Sequence, residues 1–288
     1  MQVVDAQAYY IWGQFTMKMA KLNKDMRILD AESIRDNILT EKEHHFHEGA
    51  YMTKRNGIYY IVFADNSRDH RPTCLGYATS KSPFGPYQYR GVIIDNNHCN
   101  PGNWNNHGSI AEFGGKWYVF YHRSTQGVVT MRKACVEPIT FREDGSIPEV
   151  EMTTQGAEGP IDAKSRVEAE QACALWGNVR VSKSDEGSEI LSSICDGDRA
   201  DYKYVEFKTA PKKLRLRMKP GKSDCILSIL LDQKLNSQIG KTKIMGSLNG
   251  QWAEIVCDVA KVSGVQVVSL SFHVQGEDGP LLDWWRFE

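Results

Sequence analysis

The pattern of apolar and polar positions is that of β-strands almost throughout. From Tyr9 to about Glu151, short runs rich in β-branched and aromatic residues alternate with turn chemistry. Asn56-Gly57 precedes the run Ile58-Tyr59-Tyr60-Ile61-Val62-Phe63-Ala64, and Gly114-Gly115 precedes Lys116-Trp117-Tyr118-Val119-Phe120-Tyr121-His122. Asx-Gly or Gly-Gly between apolar runs is a strong short-range hairpin signal. The spacing of the runs, with aromatics in each, suits the repeated four-stranded sheets of a β-propeller. Arg27 to Ile38 interrupts the pattern and is expected to form a short helical or irregular loop.

Between Thr153 and Lys164 the chain is rich in Gly, Thr and Ala and poor in large apolar residues, a linker composition. This places a domain boundary near residue 163 and divides the chain into 1–162 and 163–288. Strands then resume in RVEAEQA, DYKYVEF, KLRLRMK, CILSILLD, WAEIVCDV, VQVVSLSFHV and DWWRFE. Strict alternation in KLRLRMK and VQVVSLSFHV turns one face inward and one to water. Seven or so such strands predict a β-sandwich of the jelly-roll kind, so the chain as a whole is expected to be all-β.

Charge and composition exclude more than they assign. With 35 basic and 36 acidic residues the formal net charge is −1, and no Lys/Arg-rich run points to nucleic acid or a membrane surface. No apolar stretch is long enough for a transmembrane helix. The opening MQVVDAQAYYIWG lacks the basic, apolar and small-residue segments of a signal peptide. It opens inside a strand pattern, as if sequence upstream were missing. The seven cysteines contain no C-x-x-C pair, which gives neither a full disulfide framework nor a zinc signature; they read as small buried hydrophobes.

Three groups of residues in the first region carry a family resemblance. They are HFHEGAYMTKRNGIYYIVFAD, NNHGSI followed by GGKWYVFYHR, and ITFREDGSIPEV. In this order they resemble the later blades of a family 43 glycoside hydrolase, the branch with arabinofuranosidases and xylosidases. The resemblance covers roughly residues 3–155. It implies a five-bladed propeller, of which about 150 residues would supply about three blades.

Within that resemblance Glu48 matches the general acid. Inverting hydrolysis needs one protonated carboxyl at the leaving oxygen and one carboxylate that activates water on the opposite face. His107 matches a histidine near the propeller axis, beside which the family often holds a hydrated metal ion. Arg123 matches the arginine that reaches the sugar in the innermost subsite, where a guanidinium offers several fixed donors. Phe46 and Trp104 are candidates for a sugar-facing apolar wall. Read without the family, Glu48 is a surface carboxylate, His107 a structural imidazole, Arg123 a loop arginine, and the two aromatics core residues.

The family's mechanism uses three carboxylates. The turn and strand Val4-Asp5-Ala6-Gln7-Ala8-Tyr9-Tyr10 match the segment just after its second Asp, so that Asp and the first-blade base would fall before Met1. Asp5, Asp65 and Asp69 do not lie in matching motifs. The chain is therefore expected to hold one catalytic carboxylate of three and, by itself, to lack turnover.

The second region resembles a family 6 carbohydrate-binding module, on Arg166-Val167-Glu168-Ala169-Glu170, CDGDRADYKYVEF and the terminal LLDWWRFE. The resemblance implies a structural calcium held by Glu168, Glu170 and Asp283, hard oxygen donors suited to that cation; solvated surface charges are the plain alternative. It also implies a loop-end cleft that clamps a sugar between two aromatics beside an Asn. Here Ser193, a position near Ile255 and one near Leu281 replace those three, so that cleft is expected to be degenerate. Trp176, Trp252 and Trp284 remain. Together the resemblances imply an extracellular or periplasmic protein acting on plant cell-wall polysaccharide such as arabinoxylan, arabinan or xylan. A non-catalytic carbohydrate-binding protein and an inert gene fragment are the competing readings.

Overall fold

The computed structural model describes residues 2–68, 72–99, 105–232 and 235–288. Nearly all regular structure is β, as the strand pattern predicts, and no helix among the described residues is long and apolar enough to cross a membrane. The chain forms two compact units. The described residues of 2–96, 105–123 and 134–152 make the first; those of 97–99, 124–133 and 153–288 make the second.

The first unit contains three antiparallel sheets in chain order. Strands β1 (Gln2–Val4), β2 (Gln7–Trp12), β3 (Thr16–Lys21) and β4 (Arg35–Thr40) form one meander. Strands β5 (Phe46–Arg55), β6 (Ile58–Asp65), β7 (Cys74–Ser80) and β8 (Gln88–Asp95) form the next. Strands β9 (Ser109–Phe113), β10 (Lys116–Thr125) and β11 (Val128–Ile139) form the third, whose residues 124–133 are grouped with the second unit. These are three propeller-type sheets, and no closed ring is formed among the described residues. Asn56-Gly57 makes the β5–β6 turn with φ +49° and +78°, the left-handed pair a tight hairpin turn requires.

One local expectation holds up to Ile34 and is corrected from Arg35. Of Arg27 to Ile38, only Ala31–Ser33 is helical, as a single 3-10 turn capped by the Asp30 carboxylate. Arg35 onwards is strand β4, whose Leu39 is fully buried against Met17 and Met19 of β3. Two apolar cores separate the sheets. Tyr9, Met17, Leu39, Phe46 and Phe63 belong to one, and Tyr60, Tyr77, Ile93, Ile110 and Tyr121 to the other. Alternation along β6 explains the division, since Phe63 and Ile61 turn to one side while Tyr60 and Val62 turn to the other.

The second unit is a two-sheet sandwich. In chain order its strands are β12 (Ile161–Asp162), β13 (Val167–Glu168), β14 (Ala174–Trp176), β15 (Arg180–Lys183), β16 (Glu189–Ser192), β17 (Arg199–Phe207), β18 (Lys213–Lys219), β19 (Cys225–Leu231), β20 (Gln238–Ile244), β21 (Ala253–Asp258), β22 (Gly264–Val274) and β23 (Leu281–Phe287). One sheet runs β12-β17-β22-β19-β20 with β14 beside β17; the other runs β15-β16-β23-β18-β21 with β13 beside β23. Leu214, Leu216 and Met218 of KLRLRMK are fully buried, while Arg215 and Arg217 point outward into ion pairs. Each buried side chain of this size contributes about 1.5–3 kcal/mol. The described strands exceed the seven that the sequence shows. Those without a clear pattern, β12, β14, β15, β16 and β20, are short or polar. β20 is a sheet edge carrying Lys241 and Lys243, a composition that discourages pairing with other chains.

Candidate active site

Glu48 lies where β5 is irregular. The register against β6 shifts between Phe46 and Glu48 and again between Glu48 and Tyr51, so the strand bulges around the carboxylate. A bulge re-aims a side chain that regular pleating would direct elsewhere. Gly49, at φ +70°, makes the bulge possible. A Cβ at Gly49 would lie 2.7 Å from Cδ2 of His107, so glycine also permits the close approach of that ring.

Three side chains from other segments converge on the carboxylate. Asn105 Nδ2 donates to Oε1 at 3.2 Å, and His107 Nε2 lies 3.2 Å from the same oxygen. Gln14 Nε2, from the β2–β3 turn, donates to Oε2 at 3.3 Å. Glu48 keeps 29% of its side chain exposed and His107 36%, so the group is open to a ligand while its orientation is fixed. Behind it stands a buried amide framework. Asn96 Nδ2 donates to the backbone oxygens of Asn105 and His122 at 3.0 and 2.8 Å. Asn105 Oδ1 lies 3.3 Å from His122 Nε2, and Asn106 Nδ2 donates to the Thr73 carbonyl at 2.9 Å.

The structure thus joins Glu48 and His107, two of the residues singled out by sequence. Arg123, on β10 next to His122, donates from Nε to the Cys135 thiol at 3.1 Å. Phe46 is corrected: it is fully buried, edge-on to Phe63 with ring centroids 5.4 Å apart. It belongs to the core because the bulge between Phe46 and Glu48 breaks the regular pleat that would give them a common face. Trp104 and Asp69 lie outside the described residues. Asp65 is fully buried and accepts from Tyr89 Oη at 2.8 Å and from the Ser67 amide at 2.7 Å. Asp5 pairs with Lys54 at 2.5 Å and accepts from Tyr59 Oη at 2.7 Å, and these donors hold its carboxyl below the usual range. Lys54 is toward the far end of β5 from Glu48.

In the second unit the expected cation ligands do not assemble. Val167 and Glu168 pair with Trp285 and Trp284, so β13 and β23 are neighbours. Glu168, however, pairs with Arg166 Nε at 2.7 Å. Asp283 is drawn to Arg217 Nη1 at 2.6 Å, beside a register shift between Arg217 and Met218. Glu170 follows the strand in a 3-10 turn, 3.7 Å from Lys133 Nζ. Burial pushes the Glu170 carboxyl up. Burial also pushes Glu189 up, but bonds from Lys133, Gln126 and Thr125 outweigh it and hold Glu189 below its ordinary value. Each of the three expected ligands therefore faces a cation, and no cluster among the described residues fits a metal ion.

The tryptophans of this unit are not open platforms either. Trp176 is stacked on His98, with centroids 4.2 Å apart, and Arg199 lies 5.0 Å from its ring centroid. Arg166 covers Trp284 at 5.1 Å and Arg217 covers Trp252 at 4.9 Å. A cleft of about 460 Å³ at the loop ends is lined by residues including Lys219, Pro220, Leu248, Asn249 and Leu281, with no aromatic side chain among them. Sequence reasoning did not single out Gln14 or Asn105. Asn105 sits two residues before His107 in the quoted NNHGSI segment, which was the one available signal; Gln14 had none.

The family model described as Glycosyl hydrolases family 43 matches residues 2–147, just over half of the chain. The model for Carbohydrate binding module (family 6) matches residues 168–288. A xylosidase/arabinosidase of Thermoclostridium stercorarium is 33% identical over 198 residues, covering 57% of this chain and 41% of that protein. An arabinoxylan arabinofuranohydrolase of Paenibacillus polymyxa is 26% identical over 292 residues, covering 94% of this chain and 45% of that protein. The chain thus spans less than half the length of these relatives. Among solved structures, a family 43 arabinoxylan arabinofuranohydrolase from Bacillus subtilis, in complex with cellotetraose, is similar with a TM-score of 0.51 and 26% identity. That match covers 94% of this chain and 59% of the other.

Proposed function

The chain belongs to glycosyl hydrolase family 43, with a family 6 carbohydrate-binding module behind it, and on that premise we propose that it is part of an inverting enzyme removing arabinose or xylose units from hemicellulose. Glu48 is the general acid of this reading. The observation that carries it is the bulged strand that presents the carboxylate to solvent between Gln14, Asn105 and His107. In the reaction, the protonated Glu48 gives its proton to the departing glycosidic oxygen as the C–O bond breaks. A second carboxylate, about 6.5–9.5 Å away in inverting enzymes, takes a proton from the water that attacks the opposite face. Among the described residues, the hydrogen-bonding contacts of Glu48 are two carboxamides and an imidazole. Asp5 and Asp65 are bound to other partners, which supports the reading that this chain by itself lacks turnover. Arg123 is assigned to holding a sugar oxygen, and the site is assigned to an extracellular or periplasmic protein.

The test is release of arabinose from arabinoxylan, and of nitrophenol from an aryl arabinofuranoside, by the chain and by Glu48→Gln. No release is expected from either. Turnover by the chain that Glu48→Gln abolishes would show that it holds its own base and would overturn the inactivity.

A further inference from the structure

The turn that brings Gln14 to Glu48 also carries Phe15, whose ring the preceding reading does not use. Phe15 has φ +63°, a left-handed conformation that residues with a Cβ avoid. It is held there from two sides. Its amide donates to the His47 carbonyl at 2.8 Å, and its carbonyl accepts from the Glu41 amide at 2.8 Å. Gly13, at φ +115°, sets up the turn, and a Cβ there would lie 2.1 Å from the Thr16 carbonyl oxygen. The backbone is thus fixed between β5 and the short helix that follows β4.

The side chain contrasts with this fixed backbone. Phe15 is 49% exposed, and its ring approaches His47 edge to face at 5.3 Å and 79°. A strained residue persists only where its surroundings over-determine it, and such residues cluster at ligand sites. Here the strain presents a half-bare ring beside the residues flanking the acid. His47, which it touches, precedes Glu48, and Gln14, which precedes it, donates to Glu48.

We propose that Phe15 is a stacking wall for the pentose unit whose bond Glu48 protonates, contacting the C–H face of the sugar. Its rigid backbone spares the entropy of ordering an aromatic side chain on a mobile loop. Aromatic rings suit this contact because their faces attract the weakly positive C–H groups of a sugar. The proposal rests on the reading of Glu48 as the acid.

The test is an NMR titration of the full chain with methyl α-L-arabinofuranoside, following the amides of Gly13 and Gly49 and the Gln14 carboxamide. These report on the site separately from the sandwich. Saturable shifts are expected at all three, with Phe15→Ala raising Kd about tenfold, a change of about 1.4 kcal/mol, and Phe15→Trp retaining affinity. Wild-type affinity in Phe15→Ala, with binding altered by Glu48→Gln, overturns the role of Phe15 and leaves the site. No saturable shift at these groups, with Glu48→Gln equally silent, overturns the reading of the site and this proposal with it. Should Phe15→Ala not fold, Phe15→Leu decides: the same weakening supports the wall, and unchanged affinity overturns it.

Discussion

Gly49→Ala separates crowding at the site from ordinary backbone strain. At φ +70° an alanine meets the left-handed penalty of about 1–2 kcal/mol. Its Cβ would also lie 2.7 and 2.9 Å from Cδ2 and Nε2 of His107, well inside contact distance. Forcing a group into an occupied space costs about 1–3 kcal/mol. His107 can relieve part of this by rotating, but then gives up its contact with Glu48, worth about 0.5–1.5 kcal/mol. The left-handed and crowding costs together are about 2–5 kcal/mol, with any loss of the His107 contact counted within the second. Gly57→Ala is the control: its φ is +78° and nothing lies within 4 Å of its added Cβ, so it bears the left-handed cost alone. Urea unfolding followed by tryptophan fluorescence reads both. With a slope of about 2 kcal/mol per molar, Gly49→Ala should lower the first unit's midpoint by about 1–2.5 M and Gly57→Ala by about 0.5–1 M. Equal midpoints for the two variants would refute the argument that His107 is packed against Gly49.

Trp176→Phe removes the indole N–H that donates at 2.7 Å to Asp201, a carboxylate with no solvent exposure. The second unit should lose about 1.5–3 kcal/mol in urea unfolding, and a loss below about 0.5 kcal/mol would show that Arg199 and Ser269 satisfy Asp201 without it. Glu170 gives a pH signature. Burial raises its folded pKa, so its favourable contribution to folding is full below about pH 4 and fades as pH rises through the raised value. Glu170→Gln cannot titrate, so its melting temperature should gain on the wild type between pH 4 and pH 7. The same difference at both pH values would contradict that assignment.

The strands were legible where packing is simple. Leu214, Leu216 and Met218 alternate with charged residues because one face of β18 is core and the other water. β20 was not, because Gln238–Ile244 is an edge strand whose burial is too shallow to leave an alternating pattern. At the site, the motif around Glu48 and His107 gave the two residues that meet. The bulge was hidden, since it arises from pairing with β6 rather than from local composition, and it misplaced Phe46. Gln14 is 34 residues from Glu48 and joins it only through the fold. Each expected metal ligand lies beside a cation: Lys133 and Arg217 come from elsewhere in the chain, which spacing cannot show, while Arg166 sits two residues before Glu168.

The support behind Glu48 is made of carboxamides. Asn96, Asn105 and Gln14 do not ionise across the range in which proteins stay folded, so these three keep the same charge in acid and in alkali. The Glu48 carboxylate is thereby mounted, on these sides, on parts that keep one charge. Among the described side chains touching the carboxylate, the His107 imidazole is the ionisable one. Replacing His107 with glutamine would accordingly leave the Glu48 carboxylate among carboxamides alone.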